Sequence, residues 1–157
     1  MKLSKVVIIG GGCAGLTAAL YCARAELEPL VFVGDVDQGG LLVKTSVVEN
    51  YPGFADGILG FDLVSQFQQQ AEKLVHSASS NFDLTLNRYG AVIKQRSIVS
   101  VDLSADPKVL IDDRGDNYFA STVIIATGSK PNKLGLPHED KYWGNGISSC
   151  ATCDGAL

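Results

Sequence analysis

The stretch "KVVIIGGGCAGLTAALYCARAE", residues 5–26, decides the fold because its apolar pattern changes at a run of glycines. Before the glycines the apolar residues are continuous, as in a strand that is buried on both faces. After them the apolar residues recur at helical spacing, and the run "PLVFVG" follows at 29–34. The pattern predicts a strand, a tight turn, a helix and a second, parallel strand.

Three glycines in this turn, Gly10, Gly12 and Gly15, have the spacing G-x-G-x-x-G. Between a strand and a helix, this spacing is typical of dinucleotide binding. The first glycine is expected to form the tight turn, the second to let the backbone approach a pyrophosphate, and the third to allow close packing of the helix. The helix N-terminus then presents its N–H groups to the phosphates. A turn that serves packing alone is the alternative, but the flanking strand and helix favour the dinucleotide.

The glycines do not distinguish FAD from NAD, because both kinds of fold share the fingerprint. An acidic residue that binds the ribose is expected about 20 residues further along, near the end of the second strand. Asp35 and Asp37 occupy this region. Either of them could equally be a solvated loop acid.

The next part of the chain predicts a loop, a helix and a second loop. Residues 35–60 are rich in Gly, Pro and Asp and predict a long irregular loop. Residues 61–75 predict a helix, and residues 76–88 are polar without periodicity, which indicates a surface loop. One side of the helix is expected to carry Phe61, Val64, Phe67, Ala71 and Leu74.

Apolar residues at 91–103, 108–120 and 121–128 predict a small antiparallel β-meander that leads back into the main sheet through "VIIATG". The segment "DDRGDN", residues 112–117, is expected to be its turn. The predicted fold class is therefore α/β, with a Rossmann-like, doubly wound parallel sheet and a small antiparallel meander. Residues from 129 onward are rich in Pro and Gly and predict a connector.

Composition and charge narrow the class of protein. The 157 residues are 46% hydrophobic and 19% charged, with a net charge of -4, which indicates a folded globular chain. No run of Lys or Arg could follow a phosphate backbone, so nucleic acid is not an expected partner. Glycines interrupt the N-terminal apolar run, which argues against a signal peptide, and no segment reaches the roughly 18 apolar residues of a membrane span. We therefore expect a cytoplasmic protein without a membrane partner.

Four cysteines in a reducing compartment are not expected to form a structural disulfide framework. Cys150 and Cys153 form a C-x-x-C sequence that is followed directly by Asp154. Two neighbouring sulfurs, one of lowered pKa, with an acid/base beside them meet the needs of a redox dithiol. A metal site is not expected, because no second local pair of ligands accompanies them. Two incidental cysteines are the alternative.

Four segments in this order resemble the low-molecular-weight thioredoxin reductases: "VVIIGGGCAGLTAALYCARA", "VVENYPGF", "VIIATG" and "GISSCATCDGA". The resemblance covers most of the chain, and "CATCDG" is its most specific part. It implies an FAD-dependent enzyme in which electrons pass from NADPH through FAD and the dithiol to thioredoxin. It further implies a homodimer.

The resemblance also implies roles for individual residues. Cys153 is expected to be the sulfur next to the flavin, Cys150 to exchange with the disulfide of the partner, and Asp154 to act as the acid/base. Together with the ribose candidate Asp35, the residues expected around FAD are Gly10, Gly12, Ala14, Gly15, Gly39, Gly40, Asn50, Thr127 and Gly128.

The chain departs from the family pattern in three places and in length. Cys13 stands where the family usually has Pro, Leu41 stands where a Gln that contacts the flavin is expected, and residues 74–88 resemble an insertion. Family members continue beyond "CDGA" into a second dinucleotide fold that binds NADPH. We therefore expect residues 1–128 to be part of the FAD-binding domain and residues 129–157 to begin the NADPH-binding domain, in an N-terminal part that is inactive alone.

Two other interpretations remain open. One is another flavin-linked disulfide reductase, such as a peroxiredoxin-reducing relative, which its protein substrate would distinguish. The other is a non-catalytic remnant that binds a nucleotide or a partner subunit, which the flavin absorbance of the purified chain would test.

Overall fold

The computed structural model describes residues 3–35, 38–73 and 90–151. Within these ranges the chain forms a six-stranded sheet and a separate two-stranded hairpin. The strands are β1 (Leu3–Ile9), β2 (Leu30–Phe32), β3 (Val47–Val48), β4 (Ile58–Leu59), β5 (Val92–Lys94), β6 (Ile98–Asp102), β7 (Lys108–Asp112) and β8 (Asn117–Ile125). The α-helices are α1 (Cys13–Arg24), α2 (Gly60–Glu72) and α3 (Glu139–Tyr142), and Gly40–Lys44 form a 3-10 helix. Across the described ranges, no helix combines the length and the apolar character needed to cross a membrane.

The helices α1 and α2 cover one face of the large sheet. Val6 and Ile8 of β1 lie in a buried cluster with Ala19 of α1 and Ala71 of α2. Because successive side chains of a strand point to opposite faces, Val7 lies in a second buried cluster. The continuous apolar run of β1 therefore reflects burial on both of its faces.

The antiparallel strands cover the second face. Leu110 of β7 and Ala120 of β8 lie in one buried cluster with Phe32 of β2. The ring of Phe32 meets that of Tyr118 edge-on, with 4.7 Å between the ring centres. Lys94 Nζ lies 5.4 Å from the centre of the same Tyr118 ring. The parallel part of the sheet is thus covered by helices on one side and by side chains of the antiparallel strands on the other, and the predicted α/β class is confirmed.

The sheet has the strand order β5-β2-β1-β8-β7-β6. The pairs from β5 to β8 are parallel, and the pairs from β8 to β6 are antiparallel. The expectation for residues 91–103 is therefore partly wrong. Only β6 joins the meander, whereas β5 pairs with β2 at the parallel edge. A strand pattern reveals burial but not the partner strand, because that partner lies far away in sequence.

Residues 35–60 are more regular than the sequence predicts. They contain the 3-10 helix and the hairpin of β3 and β4, in which Val47 pairs with Leu59. Glycines with positive φ at Gly53 and Gly57 lie between the two short strands. The abundance of glycine that suggested an irregular loop therefore belongs to turns between short regular elements.

The buried side of α2 agrees with the prediction at Val64 and Ala71 but not at Phe61. Leu63 and Val64 are buried, but Phe61 is 66% exposed. Residues two positions apart on a helix lie about 200° apart around its axis, so Phe61 and Leu63 cannot share a face. Phe67 is half-buried, and its ring lies 5.5 Å from that of Tyr51.

The predicted surface loop 76–88 and the proposed insertion 74–88 lie outside the described residues, as does Leu74. The backbone on either side of this segment is in direct contact. Ala91 N–H donates to the Ala71 carbonyl oxygen at 3.0 Å. The end of α2 and the residue before β5 are therefore neighbours in the fold.

Candidate functional site

The glycine turn lies where the parallel strands end. Gly10 N–H donates to the Phe32 carbonyl of β2 at 2.8 Å, and Ala126 N–H donates to the Ile9 carbonyl of β1 at 2.8 Å. Gly10 has a φ of 124°, a conformation that residues with a side chain rarely adopt. The turn is thus tied to both neighbours of β1, at the edge of a parallel sheet where ligands usually bind.

Two of the three fingerprint glycines are required by packing. A Cβ on Gly10 would lie 2.6 Å from the Ala126 carbonyl carbon. A Cβ on Gly15 would lie 2.9 Å from the Gly10 carbonyl carbon and closer still to its oxygen. Side chains do not tolerate such contacts with backbone atoms, so the turn and the first turn of α1 need glycine for the fold itself.

Gly12 differs, because the protein leaves the space beside it open. It is the N-cap residue of α1 with an ordinary φ of -80°, and no side chain caps the helix. A Cβ there would have only the Gly39 carbonyl oxygen as a neighbour, at 3.7 Å. The first turn of α1 also contains no acidic residue, so the positive end of the helix is not neutralised locally. This arrangement suits an anionic group that approaches the backbone.

Gly39 borders the same space, and Gly40 follows it in the chain. Gly39 is buried with a φ of 108°, and a Cβ there would lie 2.8 Å from a methyl group of Val64. Gly40 also has a positive φ of 69°, and nothing lies within 4 Å of the position its Cβ would take. Leu41, which follows in the 3-10 helix, is 52% exposed. The loop after β2 is therefore folded against the glycine turn through the backbone of Gly39.

The residues that follow β8 and β2 complete this edge of the sheet. The Thr127 backbone nitrogen would lie 3.2 Å from a Cβ on Gly10, and Gly128 next to it is exposed with a φ of 68°. Ala14 is exposed in the first turn of α1. Asp35 is exposed just beyond β2, and its alternative Asp37 lies outside the described residues.

Asn50 lies on the exposed loop that follows β3. It lines an open concavity of about 470 Å³. The other residues that line this concavity are Glu49, Tyr51, Pro52, Gly53, Phe54 and Ala55. The Tyr51 ring lies 6.1 Å from that of Phe54. The structure brings the glycines and Thr127 together but joins Asn50 to them by no hydrogen bond within the described part of the chain.

The cysteines fall into two classes. Cys150 is disulfide-bonded, whereas Cys13 is free and exposed and Cys22 is free and half-buried. Burial raises the pKa of the Cys22 thiol, which disfavours its reactive thiolate. Cys153 and Asp154 lie outside the described residues. Across the ranges that the structure describes, no three His, Cys, Asp or Glu residues are grouped to hold a metal ion.

Two buried carboxylates were not singled out from the sequence. Asp112 is 1% exposed and accepts hydrogen bonds from the N–H groups of Arg114 and Asp116 and from Tyr118 Oη. Glu139 is 5% exposed and also accepts backbone N–H groups. Both acids adjoin glycine-containing turns, which is the only signal the sequence offers for such a role.

Comparison with known proteins finds similar chains along the whole sequence. The family model for pyridine nucleotide-disulphide oxidoreductases matches residues 4–157. A thioredoxin reductase of Streptomyces clavuligerus is 50% identical over 151 residues, which cover 96% of this chain and 42% of that protein. A bifunctional thioredoxin reductase/thioredoxin of Mycobacterium leprae is 41% identical over 155 residues, which cover 99% of this chain and 30% of that protein.

Solved structures show the same likeness. The thioredoxin reductase from Giardia duodenalis has a TM-score of 0.79 at 34% identity, covering 99% of this chain and 45% of that one. The thioredoxin reductase from Streptococcus pyogenes has a TM-score of 0.78 at 34% identity, covering 98% and 44%. The chain thus spans less than half the length of the relatives it matches.

Proposed function

The chain belongs to the pyridine nucleotide-disulphide oxidoreductase family, and from that premise we propose that it carries the FAD-binding part of a thioredoxin-disulfide reductase. In this proposal the dithiol of Cys150 and Cys153 reduces thioredoxin, and the residues at the glycine turn would hold the FAD that connects this dithiol with NADPH. When bound, FAD supplies the two-electron chemistry that links the nicotinamide to the disulfide. The similarity to proteins named thioredoxin reductase, at 50% and 41% identity, supports this proposal.

The open space beside Gly12 is the observation that carries the FAD assignment. Packing explains Gly10 and Gly15 but not Gly12, whose Cβ would meet no atom closer than 3.7 Å. A position that needs no glycine for the fold is explained if a ligand occupies the space that a side chain would take. The N–H groups of α1 then bind the pyrophosphate, and Gly39 and Gly40 border it.

We assign further contacts around the cofactor to residues at the same edge of the sheet. Thr127 and Gly128 lie beside the glycine turn, and Asp35 follows β2 where a ribose hydroxyl would be bound. Asn50 contacts the flavin in our proposal, from the concavity after β3. The chain has a single G-x-G-x-x-G sequence, so NADPH is assigned no site within residues 1–157.

The dithiol step is proposed as ordinary thiol–disulfide exchange. The Cys150 thiolate attacks one sulfur of the thioredoxin disulfide, whose S–S bond breaks, and the released thiolate takes up a proton with the help of Asp154. The Cys153 thiolate then attacks the Cys150 sulfur, which re-forms the disulfide of this chain and releases the second thioredoxin thiol. Two electrons move from the dithiol to thioredoxin. The disulfide-bonded Cys150 of the structure is the oxidised state that this exchange would produce.

The organisation of the protein is also a proposal. We assign residues 1–128 to the FAD-binding domain and residues 129–157 to a connector and the start of an NADPH-binding domain, because β8, the last strand that the structure describes, ends at Ile125. We further propose a cytoplasmic homodimer. Exposed apolar side chains such as Val47 and Leu59, 47% and 52% exposed, are candidates for its interface.

Titration of the purified chain with FAD tests the cofactor assignment. Saturable quenching of flavin fluorescence is expected with FAD, and FMN is expected to bind more weakly because it lacks the pyrophosphate and the adenosine ribose. Equal binding of FMN and FAD would contradict the assignment of the glycine turn. Sedimentation of the same sample would test the proposed homodimer.

A further inference from the structure

The Glu139 carboxylate organises the segment that leads to Cys150, outside the cofactor edge and outside both core clusters. Its Oε1 accepts the N–H of Leu134 at 2.9 Å, and its Oε2 accepts the N–H groups of Gly135 at 2.7 Å and Leu136 at 3.2 Å. The hydrogen bond from Leu134, followed by those from the other two amides, holds the pKa of Glu139 below its usual value. The carboxylate is therefore ionised near neutral pH and binds three consecutive backbone amides.

The backbone that this carboxylate holds is a tight loop. Glu139 N–H donates to the Leu136 carbonyl at 3.1 Å. Glu139 therefore binds this loop through its backbone N–H as well as through its carboxylate. Gly135 has a φ of 75°, and His138 adopts a φ of 64° although it has a side chain. A left-handed residue other than glycine persists only where its surroundings hold it. The three bonds to Glu139 are among the contacts that hold this loop.

Local hydrogen bonds continue from α3 to Cys150. The Tyr142 carbonyl, at the end of α3, accepts the N–H groups of Asn145 at 2.9 Å and Ile147 at 3.0 Å. Ser148 Oγ then accepts the N–H of Cys150 at 3.0 Å. The position of Cys150 therefore depends on a chain of short-range bonds that begins at Glu139, and the two core clusters of the sheet contribute no residue to it.

We propose that Glu139 is a positioning residue for disulfide exchange at Cys150 with a protein partner. The inference rests on the proposed function, since it assumes that Cys150 exchanges with thioredoxin. A thiolate must approach a disulfide in one orientation to break it. A small thiol reaches that orientation freely, whereas a docked protein reaches it only if the segment around Cys150 is held in place. Loss of the Glu139 bonds is therefore expected to slow protein exchange selectively.

The test compares two reductants of the Cys150 disulfide in the full chain: reduced thioredoxin and dithiothreitol. In each case the reductant thiolate attacks the disulfide, a mixed disulfide forms, and the second reductant thiol releases it, so two electrons enter the chain. Rates are followed by alkylation and mass spectrometry for the unchanged protein, Glu139→Gln, Glu139→Asp and Asp140→Asn. Asp140→Asn is the matched control, because Asp140 is exposed on the same helix and its hydrogen-bond partner among the residues that the structure describes is Lys133.

Glu139→Gln is expected to lower the second-order rate constant with thioredoxin by about 10-fold or more, because misplacement by about 1 Å can cost 100-fold. Its rate with dithiothreitol is expected to stay within about twofold. Glu139→Asp, which keeps the charge, is expected to recover part of the loss, and Asp140→Asn should change neither rate. Equal thioredoxin rates for the unchanged protein and Glu139→Gln would overturn the inference while leaving the proposed function intact. If the unchanged protein reacts no faster with thioredoxin than with dithiothreitol, both the inference and the proposed function are overturned.

Discussion

Substituting alanine at Gly12 and at Gly15 separates the two reasons for a glycine in the fingerprint. At Gly15 the added methyl would lie 2.9 Å from the Gly10 carbonyl carbon, well inside an ordinary contact. The helix cannot move away to relieve this, because Leu16, Ala19 and Ala23 on its buried side are at most 1% exposed. Overpacking of this kind costs about 1–3 kcal/mol. We expect Gly15→Ala to lie at the upper end of that range, because the clash involves backbone.

At Gly12 the same methyl would meet nothing closer than 3.7 Å, and the φ of -80° suits any residue. Replacing the N-cap glycine by alanine is expected to cost no more than about 1 kcal/mol. The methyl would, however, project into the space we assign to the pyrophosphate. We therefore expect Gly12→Ala to keep the fold and to weaken FAD binding by at least about tenfold, which corresponds to about 1.4 kcal/mol.

Thermal unfolding with and without FAD distinguishes the two variants. A loss of 1 kcal/mol lowers the Tm of a domain of this size by about 2–4 °C, so Gly15→Ala should melt roughly 5–10 °C lower without FAD. Gly12→Ala should melt close to the unchanged protein without FAD but gain less when FAD is added, because stabilisation by a ligand follows its affinity. Unaltered FAD affinity in Gly12→Ala, measured by fluorescence titration, would refute the assignment of this space to the cofactor.

Three further predictions concern parts of the fold away from the cofactor. Asp112→Ala leaves two part-buried N–H groups and the Tyr118 hydroxyl without their acceptor and should lower the free energy of urea unfolding by about 2–4 kcal/mol, whereas the exposed Asp113→Ala should cost less than about 1 kcal/mol. Burial, and secondarily the hydrogen bond to Asp112, raises the pKa of Tyr118, so the unfolded chain loses the Tyr118 proton first. Stability should therefore fall as pH rises above about 10, and Tyr118→Phe should melt with a weaker alkaline decline. Deletion of residues 75–88 should change the free energy of unfolding by less than about 1 kcal/mol, because Ala71 and Ala91 already bring the ends together at 3.0 Å. A deletion variant that fails to fold, as judged by circular dichroism, would show that this segment supports the core.

The parts of the fold that the sequence predicts correctly are those set by local patterns. The apolar run, the glycine spacing and the helical repeat of residues 5–34 lie within one βαβ unit, and each was found where expected. The wrong predictions concern contacts between residues that are far apart in the sequence. Nothing local to residues 92–94 shows that they pair with β2 rather than with β6. Likewise, Phe61 is as apolar as Leu63, and only the packing of α2 against the sheet decides which of them is buried.

The same difference between local patterns and long-range contacts separates the candidate site residues that the sequence predicts from those it does not. The fingerprint glycines could be predicted because each of these positions must lack a side chain, and this requirement leaves a fixed spacing in the sequence. Glu139 and Asp112 could not, because their partners are mainly backbone amides, which any residue supplies. A buried carboxylate that binds amides therefore leaves no signature beyond a nearby turn.

The two halves of the proposed site are held in place by different physical means. The glycine turn is positioned by strand hydrogen bonds at Gly10 and Ala126 and by the buried apolar residues of β1, so the geometry of the cofactor edge depends on the stability of the sheet. Cys150 is positioned by short-range bonds that begin at Glu139, to which the core clusters contribute nothing. Substitutions in the core should therefore reduce stability and cofactor affinity together, whereas loss of the Glu139 hydrogen bonds should alter disulfide exchange with little change in the stability of the sheet. This separation agrees with our proposal that the dithiol serves both a bound cofactor and a separate protein, because such a dithiol must change its contacts without loosening the cofactor.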